Sequence, residues 1–346
     1  MPQDAMSDVI LMAHGSGGKL SHDLVERVFI KHLSNPILNS LEDAAAIDLT
    51  DGNGQLRGQP VFTTDSFVIQ PIFFPGGDIG KLSVCGTVND LSMQGAIPLY
   101  LSSGFILEEG LPLRDLETIV ASLAVTARGA GVQVVAGDTK VVEHGSADQV
   151  FINTAGIGVV PPGVHIAAKR ARPGDVVLVS GAVGDHGLAI MTQREGLRFE
   201  SPLQSDCAPL NDLVRAMLDV CPDIHVLRDP TRGGLATTLN EIAEAAQTGI
   251  AIREMAVPVH EPVRAASEIL GLDPLYVANE GKLIAIVPPA KAGIVLAAMR
   301  AHPLGREAAH VGGVVSDHPG RVVLETVLGT RRLLDMLVAE QLPRIC

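Results

Sequence analysis

Five aspartates lie directly after predicted strands or beside glycines, where a carboxylate can reach a ligand. Hard carboxylate oxygens in this number suit Mg2+, which binds through a few carboxylates together with phosphate oxygens. The set therefore predicts a site for a metal-nucleotide complex. For each aspartate alone, a helix cap or a closed turn is the alternative. The candidate metal ligands are Asp43, Asp65, Asp90, Asp138 and Asp229.

A glycine-rich segment near the N-terminus, His14-Gly-Ser-Gly-Gly-Lys19, predicts a loop that covers phosphates. Its backbone N–H groups are unobstructed by side chains, and Lys19 adds a cation. The segment lacks the spacing of a P-loop, so a flexible N-terminal turn is the alternative. The glycines that would bind the nucleotide are Gly15, Gly17 and Gly18.

Arg232 and Gly233 open a predicted helix and form a second candidate for anion binding. A helix N-terminus presents unpaired N–H groups that can bind a phosphate. A tight turn between a strand and a helix would explain the same residues.

Cys346 is the last residue and differs from the other cysteines, Cys85, Cys207 and Cys221, which have apolar neighbours and are expected in the core. The thiol of a terminal cysteine after Pro-Arg-Ile can act as an attachment point on a tether. A prenylation box needs its cysteine four residues from the end, so that modification is excluded. An incidental terminal cysteine is the alternative.

The charge balance argues against a polyanionic partner. Lys and Arg number 26 against 39 Asp and Glu, which gives a net charge of -13 and opposes binding to nucleic acid. The first ten residues carry an acidic residue where an export signal has Lys or Arg, and no apolar run reaches about 18 residues. We therefore expect a cytoplasmic protein without a membrane or nucleic-acid partner.

The length of 346 residues predicts two domains. In the first, apolar spacing predicts a helix from Ser21 and a second helix between residues 78 and 95. Strands and a further helix follow, and a Pro- and Gly-rich stretch at residues 161–174 is typical of a linker. These further elements are strands at 60–64, 99–107, 132–136 and 149–160, and a helix at 116–128.

The second half repeats strands and helices, which predicts another mixed α/β domain. Strands are expected at residues 176–180, 283–287 and 321–325, with a helix after Arg232. A last helix is expected at residues 329–339, and Pro343 prevents its continuation. We therefore expect an exposed, mobile tail.

Several motifs together resemble the HypE family of hydrogenase maturation factors, within the aminoimidazole ribonucleotide synthetase (PurM-like) superfamily. The ending distinguishes this family from relatives such as selenide, water dikinase and thiamine-monophosphate kinase. The resemblance covers essentially the whole chain. Its motifs are His14-Gly-Ser-Gly-Gly-Lys19, the segment from Phe74 to Asp90, Val135-Ala-Gly-Asp-Thr-Lys140, Asp229-Pro-Thr-Arg-Gly-Gly234, Asn279-Glu-Gly281 and Pro343-Arg-Ile-Cys346.

The resemblance implies an α/β (α+β) fold with two PurM-like domains and ATP bound in the cleft. Residues 1–160 would form an ATP-binding domain whose strands pair with those of a second subunit in a dimeric β-barrel. Residues 170–338 would form the C-terminal mixed α/β domain, and 339–346 a flexible tail. The resemblance therefore also implies a homodimer.

The resemblance also implies a reaction, in which a HypF-like carbamoyltransferase places a carbamoyl group on Cys346. This chain would dehydrate the group to a thiocyanate with ATP and Mg2+, and cyanide would pass to iron in a HypC-HypD-like complex. Glu280 is the candidate base, and Lys140 the candidate that orients the carbamoyl oxygen. A surface ion pair is the alternative for both. Lys19, Lys81 and Asn89 join the candidate nucleotide ligands.

Two other functions remain open. A kinase or synthetase of the same superfamily that acts on a free substrate would not need Cys346. Selenide, water dikinase is disfavoured because its glycine loop carries a cysteine or selenocysteine, which Gly15 to Gly18 lack. A non-catalytic scaffold would use the Pro-Arg-Ile-Cys ending only as a docking peptide.

Overall fold

The computed structural model describes residues 8–42, 44–197, 203–337 and 344–346. Its N-terminal part is built on a four-stranded sheet of order β1-β6-β4-β5. Only β4 and β5 are parallel; the other two pairs are antiparallel. The strands are β1 (Gln59–Phe67), β4 (Ile97–Glu108), β5 (Gln133–Val142) and β6 (Val150–Val160), and a small hairpin joins β2 (Phe73–Phe74) to β3 (Gly77–Asp78).

One face of this sheet is covered by helices and the other is open. The helix α3 (Ile79–Met93) packs on β1 and β6, and α4 (Leu113–Gly129) packs on α3. Asp78 caps α3, since its carboxylate accepts the N–H of Gly80 at 2.8 Å. Near the N-terminus, α1 (Lys19–Leu24), a π-helical stretch (Val25–Ile30) and α2 (Lys31–Leu33) form one continuous helical segment. Both predicted helices are confirmed.

The N-terminal sheet has free edges at β1 and β5, and no closed barrel is found within the described part of the chain. Side chains alternate along β1, so that Thr63 and Asp65 face α3 while Phe62 points to the open face and is 67% exposed. The dimeric barrel therefore stays a prediction.

The C-terminal part contains a seven-stranded mixed sheet of order β13-β12-β9-β11-β7-β10-β8. Two separate apolar clusters form around it. Its strands are β7 (Val176–Val179), β8 (Val226–Arg228), β9 (Gly249–Arg253), β10 (Ile284–Val287), β11 (Ala309–Val315), β12 (Val322–Glu325) and β13 (Arg331–Leu333). Its helices are α5 (Asp185–Arg194), α6 (Asn211–Val220), α7 (Gly234–Ala246), α8 (Glu261–Leu270) and α9 (Pro289–Ala301).

The helices α5 and α8 connect the two halves, because their apolar residues belong to the same buried cluster as α3, α4 and the N-terminal sheet. Leu188 and Val263 are fully buried in this cluster. Apolar residues of both halves therefore share one buried core. Within the described ranges, no helix has the length and apolar character needed to cross a membrane.

The helix predicted at residues 329–339 is wrong over all of its described part, residues 329–337, none of which is helical. A turn brings Thr326 N–H to the Thr330 carbonyl at 2.8 Å, and Gly329 adopts a positive φ of 77° in it. The turn places Arg331–Leu333 beside β12 as the antiparallel strand β13. Pairing across the turn thus overrides the local helical pattern, and residues 338–339 lie outside the described residues.

Candidate functional site

The end of the chain is docked against the N-terminal part rather than exposed. The backbone N–H of Val68 donates to a carboxylate oxygen of the terminal residue, Cys346, at 3.1 Å, and that of Gln70 donates to the Arg344 carbonyl at 3.3 Å. Ile345 is 4% exposed. Cys346 is partly buried and packs against the same apolar cluster. Residues 344–346 therefore lie beside residues 68–70, just after β1, and the two segments run antiparallel.

His186, near the start of α5, is one of the side chains that contact this tail; Arg194 Nη2 donates to the Arg344 carbonyl, and Asp148 pairs with the Arg344 side chain. The Nε2 of His186 lies 2.6 Å from the Ile345 carbonyl oxygen, and its Nδ1 lies 2.8 Å from Ser205 Oγ. Burial lowers the pKa of the imidazole, which is therefore neutral. The ring is fully buried, and its two hydrogen bonds connect the tail to Ser205 in the core.

Glu280 lies in the loop that precedes β10. Its side chain is enclosed between the two halves of the protein. It is 3% exposed, and Oε1 has no hydrogen-bond partner within the described structure. Its backbone is held on both sides: its N–H donates to Asp206 Oδ1 at 3.0 Å, and its carbonyl accepts from Asn89 Nδ2 at 3.3 Å. The Glu280 backbone is thus held in place while one oxygen of its carboxylate is unsatisfied, as expected of a group that acts on a ligand.

Burial raises the pKa of Glu280 well above its ordinary value, and neighbouring Cys207, Asp229 and Asp206 add to the shift. A carboxylate in such surroundings is a much stronger proton acceptor than one in water. The position and chemistry suit the general base that the sequence predicts.

Three of the five aspartates share one electrostatic environment. Asp65 lies on β1, Asp90 on α3 and Asp229 just after β8, and the pKa of each is raised, mainly by burial. Asp90 and Asp229 each feel the negative charge of Asp65. Their crowding is the arrangement that a divalent cation relieves.

The described residues contain no group of three His, Cys, Asp or Glu side chains that could hold a metal ion unaided. Mg2+ characteristically takes one or two carboxylates and completes its shell with water and phosphate oxygens. The oxygen donors of Asp65, Asp90 and Asp229 fit that requirement when a nucleotide is bound. Asp43 lies outside the described residues.

Asp229 gives a pH-dependent prediction for the metal-free protein. Burial raises its pKa to about 7, whereas an unfolded aspartate titrates near 3.9. The stability that this shift contributes is therefore complete below about pH 4 and is lost as pH rises to about 7. Asp229→Asn keeps the side chain neutral, so its advantage over the wild type in free energy of unfolding should grow by about 1–2 kcal/mol between pH 5.5 and pH 8.

Urea denaturation with EDTA at the two pH values measures this difference. Asp223→Asn is the matched control, because an ion pair with Arg170 lowers the pKa of the exposed Asp223. This control should give no such gain at pH 8. An equal advantage of Asp229→Asn at both pH values would contradict the prediction.

A cavity of about 420 Å3 lies beneath the glycine segment. Its wall is mainly apolar and includes Leu24, Phe29 and Phe105, whereas Gly15, Gly17, Asp138 and Lys140 also line it. Ser103 is buried in the wall, and its hydroxyl has no hydrogen-bond partner within the described structure. An apolar hollow with one unsatisfied hydroxyl and backbone N–H donors suits a planar heterocycle that carries phosphates.

Asp138 and Lys140 lie within β5, which extends well past the predicted end of that strand. Lys140 Nζ contacts Asp138 Oδ1 at 2.8 Å, and both side chains are about two-thirds exposed. In this structure Asp138 and Lys140 thus form a surface ion pair, the alternative to a catalytic role that the sequence left open for Lys140. The cavity wall that includes them does not include Asp65, Asp90 or Asp229.

The remaining candidates occupy defined positions in the two halves. Lys81 Nζ donates to the Gly76 carbonyl at 2.8 Å, and Lys19 begins α1. Asn89 is buried and binds the backbone of Ala208, Glu280 and Leu210, so in this structure it positions Glu280. Arg232 is exposed ahead of α7, and Gly233 has a φ of 74° there.

Sequence reasoning missed His186, Ser205, Asp206 and Cys207. The segment at 205–207 has no periodicity, and its role depends on contacts with distant residues. Asp206 holds the Glu280 backbone and lies 3.3 Å from Lys282 Nζ. The only local signal for His186 is its position at a glycine-flanked turn between a strand and a helix, where binding residues are common.

Comparisons with known proteins agree over the full length. Models for the AIR synthase related protein N-terminal and C-terminal domains match residues 41–160 and 172–325. A protein of Azotobacter vinelandii named carbamoyl dehydratase HypE is 56% identical over 343 residues, 99% of each chain. A crystal structure of HypE in complex with ATP is 54% identical with a TM-score of 0.93, covering 97% of this chain and 99% of that one. The HypE chain of a HypE-HypF complex is 48% identical with a TM-score of 0.79, covering 91% and 99%.

Proposed function

The chain belongs to the HypE family of hydrogenase maturation proteins, and on that premise we propose that it is an ATP-dependent carbamoyl dehydratase acting on Cys346. A HypF-like carbamoyltransferase attaches a carbamoyl group to the thiol. The chain converts this S-carboxamide to a thiocyanate, which supplies the cyanide ligand of the [NiFe]-hydrogenase iron. The observation that carries the proposal is that the segment 205–207 contacts both the tail through His186 and the backbone of Glu280.

The chemistry requires a leaving group, a base and a fixed substrate. Dehydration of RS–C(O)NH2 with ATP gives RS–C≡N, ADP and phosphate, because transfer of the γ-phosphoryl group to the amide oxygen makes that oxygen a good leaving group. The two amide protons must also leave. Glu280 is the group that accepts a proton, and Lys140 orients the carbamoyl oxygen after leaving its ion pair with Asp138. Docking of the tail keeps the amide near these groups.

We place the base of ATP in the cavity beneath the glycine segment. The apolar wall can pack against a purine, and the Ser103 hydroxyl, which has no partner within the described structure, can donate a hydrogen bond to a ring nitrogen. Gly15, Gly17 and Gly18 are the proposed backbone N–H donors to the phosphates; Gly17 N–H, which donates to Ser21 Oγ at 2.9 Å in this structure, would exchange that contact for a phosphate. Lys19, Lys81 and the Arg232–Gly233 turn are the cationic and helix-end groups proposed for the remaining phosphate charge.

The glycine segment gives a test of this placement. A Cβ at Gly15 would lie 2.7 Å from the Val141 backbone nitrogen, whereas one at Gly18 would meet nothing closer than 4.0 Å. Gly15→Ala should therefore displace the loop from β5 and weaken ATP binding about tenfold or more, the equivalent of about 1.4 kcal/mol. Gly18→Ala should bind ATP nearly as the wild type does.

Isothermal titration with ATP and Mg2+ measures both variants. Equal affinities for Gly15→Ala and the wild type, in protein of unchanged thermal stability, would place the phosphates elsewhere. A loss at Gly18 equal to that at Gly15 would show a general effect of the loop rather than the contact with Val141.

Mg2+ is proposed to bind to Asp65, Asp90 and Asp229, with Asp43 and Asp138 as further candidates. When bound, the metal neutralises phosphate charge. The raised pKa values of the first three support this assignment, because such carboxylates gain most when a cation removes their mutual repulsion. Arg232 reduces the negative potential at Asp65 and Asp90.

A homodimer is proposed to form through the open face of the N-terminal sheet, in which the two sheets would complete a barrel. Phe62, Ile97 and Ile106 support it, because these apolar side chains are 43–67% exposed on β1 and β4. Exposed apolar patches of this kind mark association surfaces. The reaction would occur in the cytoplasm, and a HypC-HypD-like complex would receive the cyanide on its iron.

Intact-protein mass spectrometry tests the proposed reaction. The chain is first incubated with its HypF-like partner and carbamoyl phosphate, then with ATP and Mg2+. We expect a carbamoyl adduct that loses one water only after ATP is added, with both changes assigned to the C-terminal peptide. A stable adduct unchanged by ATP would favour the scaffold, and no adduct would favour a kinase or synthetase with a free substrate.

A further inference from the structure

The contact between His186 and the tail has a defined hydrogen-bond direction. A carbonyl oxygen can only accept, so Nε2 carries the proton and donates to the Ile345 carbonyl at 2.6 Å. Nδ1 is then an acceptor, and the Ser205 hydroxyl donates to it at 2.8 Å. Ser205 Oγ in turn accepts the Cys207 N–H at 3.0 Å. Every polar atom in this chain of contacts has a partner of the correct sign.

The ring is also held in place by packing. His186 is 0% exposed, and the ring of Phe74 contacts it edge to face with centroids 5.6 Å apart. A neutral imidazole held in this way has one orientation and one tautomer. The donor that meets the tail is therefore prearranged before the tail arrives.

The tail is held on both sides of the Cys346 Cα. The planar peptide group between Ile345 and Cys346 is fixed through its oxygen by His186. The α-carboxylate of Cys346 is held on the other side, where one of its oxygens accepts the Val68 N–H at 3.1 Å. With both flanking groups fixed, the position of the sulfur depends on a single side-chain rotation with three staggered positions.

We propose that His186 is a positioning residue for the reaction, oriented by Ser205, which holds the Ile345–Cys346 peptide group so that the modified sulfur is presented to the site. This inference rests on the proposed function, because a fixed sulfur matters for the reaction only if Cys346 carries the carbamoyl group. The backbone contacts with Val68 and Gln70 are joined by the Arg344 side chain, which donates to the Val68 carbonyl. Among the described residues, His186 is the side chain that donates to the Ile345 carbonyl, in the peptide group next to the modified residue.

A buried histidine can also be purely structural, and His225 provides the comparison. It is 3% exposed and contacts Asp175 Oδ2 at 2.7 Å within the C-terminal half. Both histidines stabilise the fold by filling buried space, but only His186 contacts the tail. A matched pair of substitutions therefore separates a positioning role from a structural one.

Hydrogen exchange measures docking without any reaction. The Val68 and Gln70 amides donate to the tail, so they exchange only when the tail leaves. In full-length, unmodified protein, His186→Phe keeps a ring but removes the donor, and exchange at these two amides should become about tenfold faster. His186→Gln, which keeps a donor and an acceptor, should restore most of the protection, and His225→Gln should leave it unchanged.

Dehydration of the carbamoylated protein is the second readout. His186→Phe should slow it about tenfold or more, while carbamoylation by the HypF-like partner proceeds at least as fast as in the wild type. Ser205→Ala, which leaves the His186 donor in place but unoriented, should give an intermediate rate. It also replaces His186→Phe in both measurements if that variant does not fold.

Wild-type exchange at Val68 and Gln70 in the variant that lacks the donor would overturn the proposal. Equal acceleration in His225→Gln would overturn it too, since general destabilisation would then explain the effect. Because exchange is measured without ATP or partner, a wild type that does not dehydrate its adduct would refute the proposed function separately from the docking result.

Discussion

Glu280→Gln is expected to stop dehydration while leaving the carbamoyl group on Cys346. The substitution keeps the size and polarity of the side chain but removes its ability to accept a proton. A general base contributes typically about 10^2–10^4-fold to a rate, and a loss in that range is expected here. The buried position strengthens the expectation, because Glu280 is 3% exposed and water cannot easily take over its role.

Single-turnover mass spectrometry of the carbamoylated variant with ATP and Mg2+ measures this rate. The Glu280 backbone contacts with Asn89 and Asp206 involve main-chain atoms, so they should persist in the variant. Its thermal stability should not fall, because glutamine avoids a buried charge. ATP affinity should also be retained. A rate within about threefold of the wild type would remove Glu280 from the role of base, since the contribution cited for such a base is far larger.

Cys346→Ala is expected to abolish the carbamoyl adduct and every later product. In the proposed reaction the carbamoyl group is attached to the Cys346 sulfur and to no other atom, so no residual turnover is expected. The side chain is partly buried at the chain end, and alanine fits the same backbone pairing with Val68. Loss of activity should therefore occur with unchanged folding and ATP binding.

Cys221→Ala is the matched control for this variant. Cys221 is 1% exposed within the apolar cluster of the C-terminal half, and its thiol has no proposed role in the chemistry. The control should lose some stability, as expected for a smaller core side chain, but keep adduct formation and dehydration. An adduct that forms on Cys346→Ala protein would show that another residue carries the group.

Local chemistry in the sequence singled out three carboxylates that the structure places in one electrostatic environment, whereas Asp138 lies apart from them in a surface ion pair. Asp65, Asp90 and Asp229 come from a strand, a helix and a turn that the pattern of apolar residues predicts, and the structure brings their charges together. The α3 helix was equally predictable, because its apolar periodicity is local; its Asp78 cap was found only in the structure. The assignment of these aspartates to a metal stays a prediction.

The errors occur where contacts between distant segments decide the structure. Gly137 interrupts the apolar pattern of β5, but pairing with β4 carries that strand through Asp138 and Lys140. The segment after Glu325 has helical spacing, yet a turn pairs it with β12 instead. Docking of Arg344 on Val68 joins residues 276 positions apart, and no local pattern reports such a contact.

The backbone pairing between the tail and residues 68–70 implies competition between this chain and its partners. A tail that is docked on its own protein cannot at the same time occupy a partner's binding groove. The apparent dissociation constant of any partner for the tail is therefore the intrinsic constant divided by the undocked fraction. If about one tail in a hundred were undocked, the partner would bind about a hundredfold more weakly than it binds the free peptide. The strength of this pairing thus sets how much of the partner must be present for the tail to be modified.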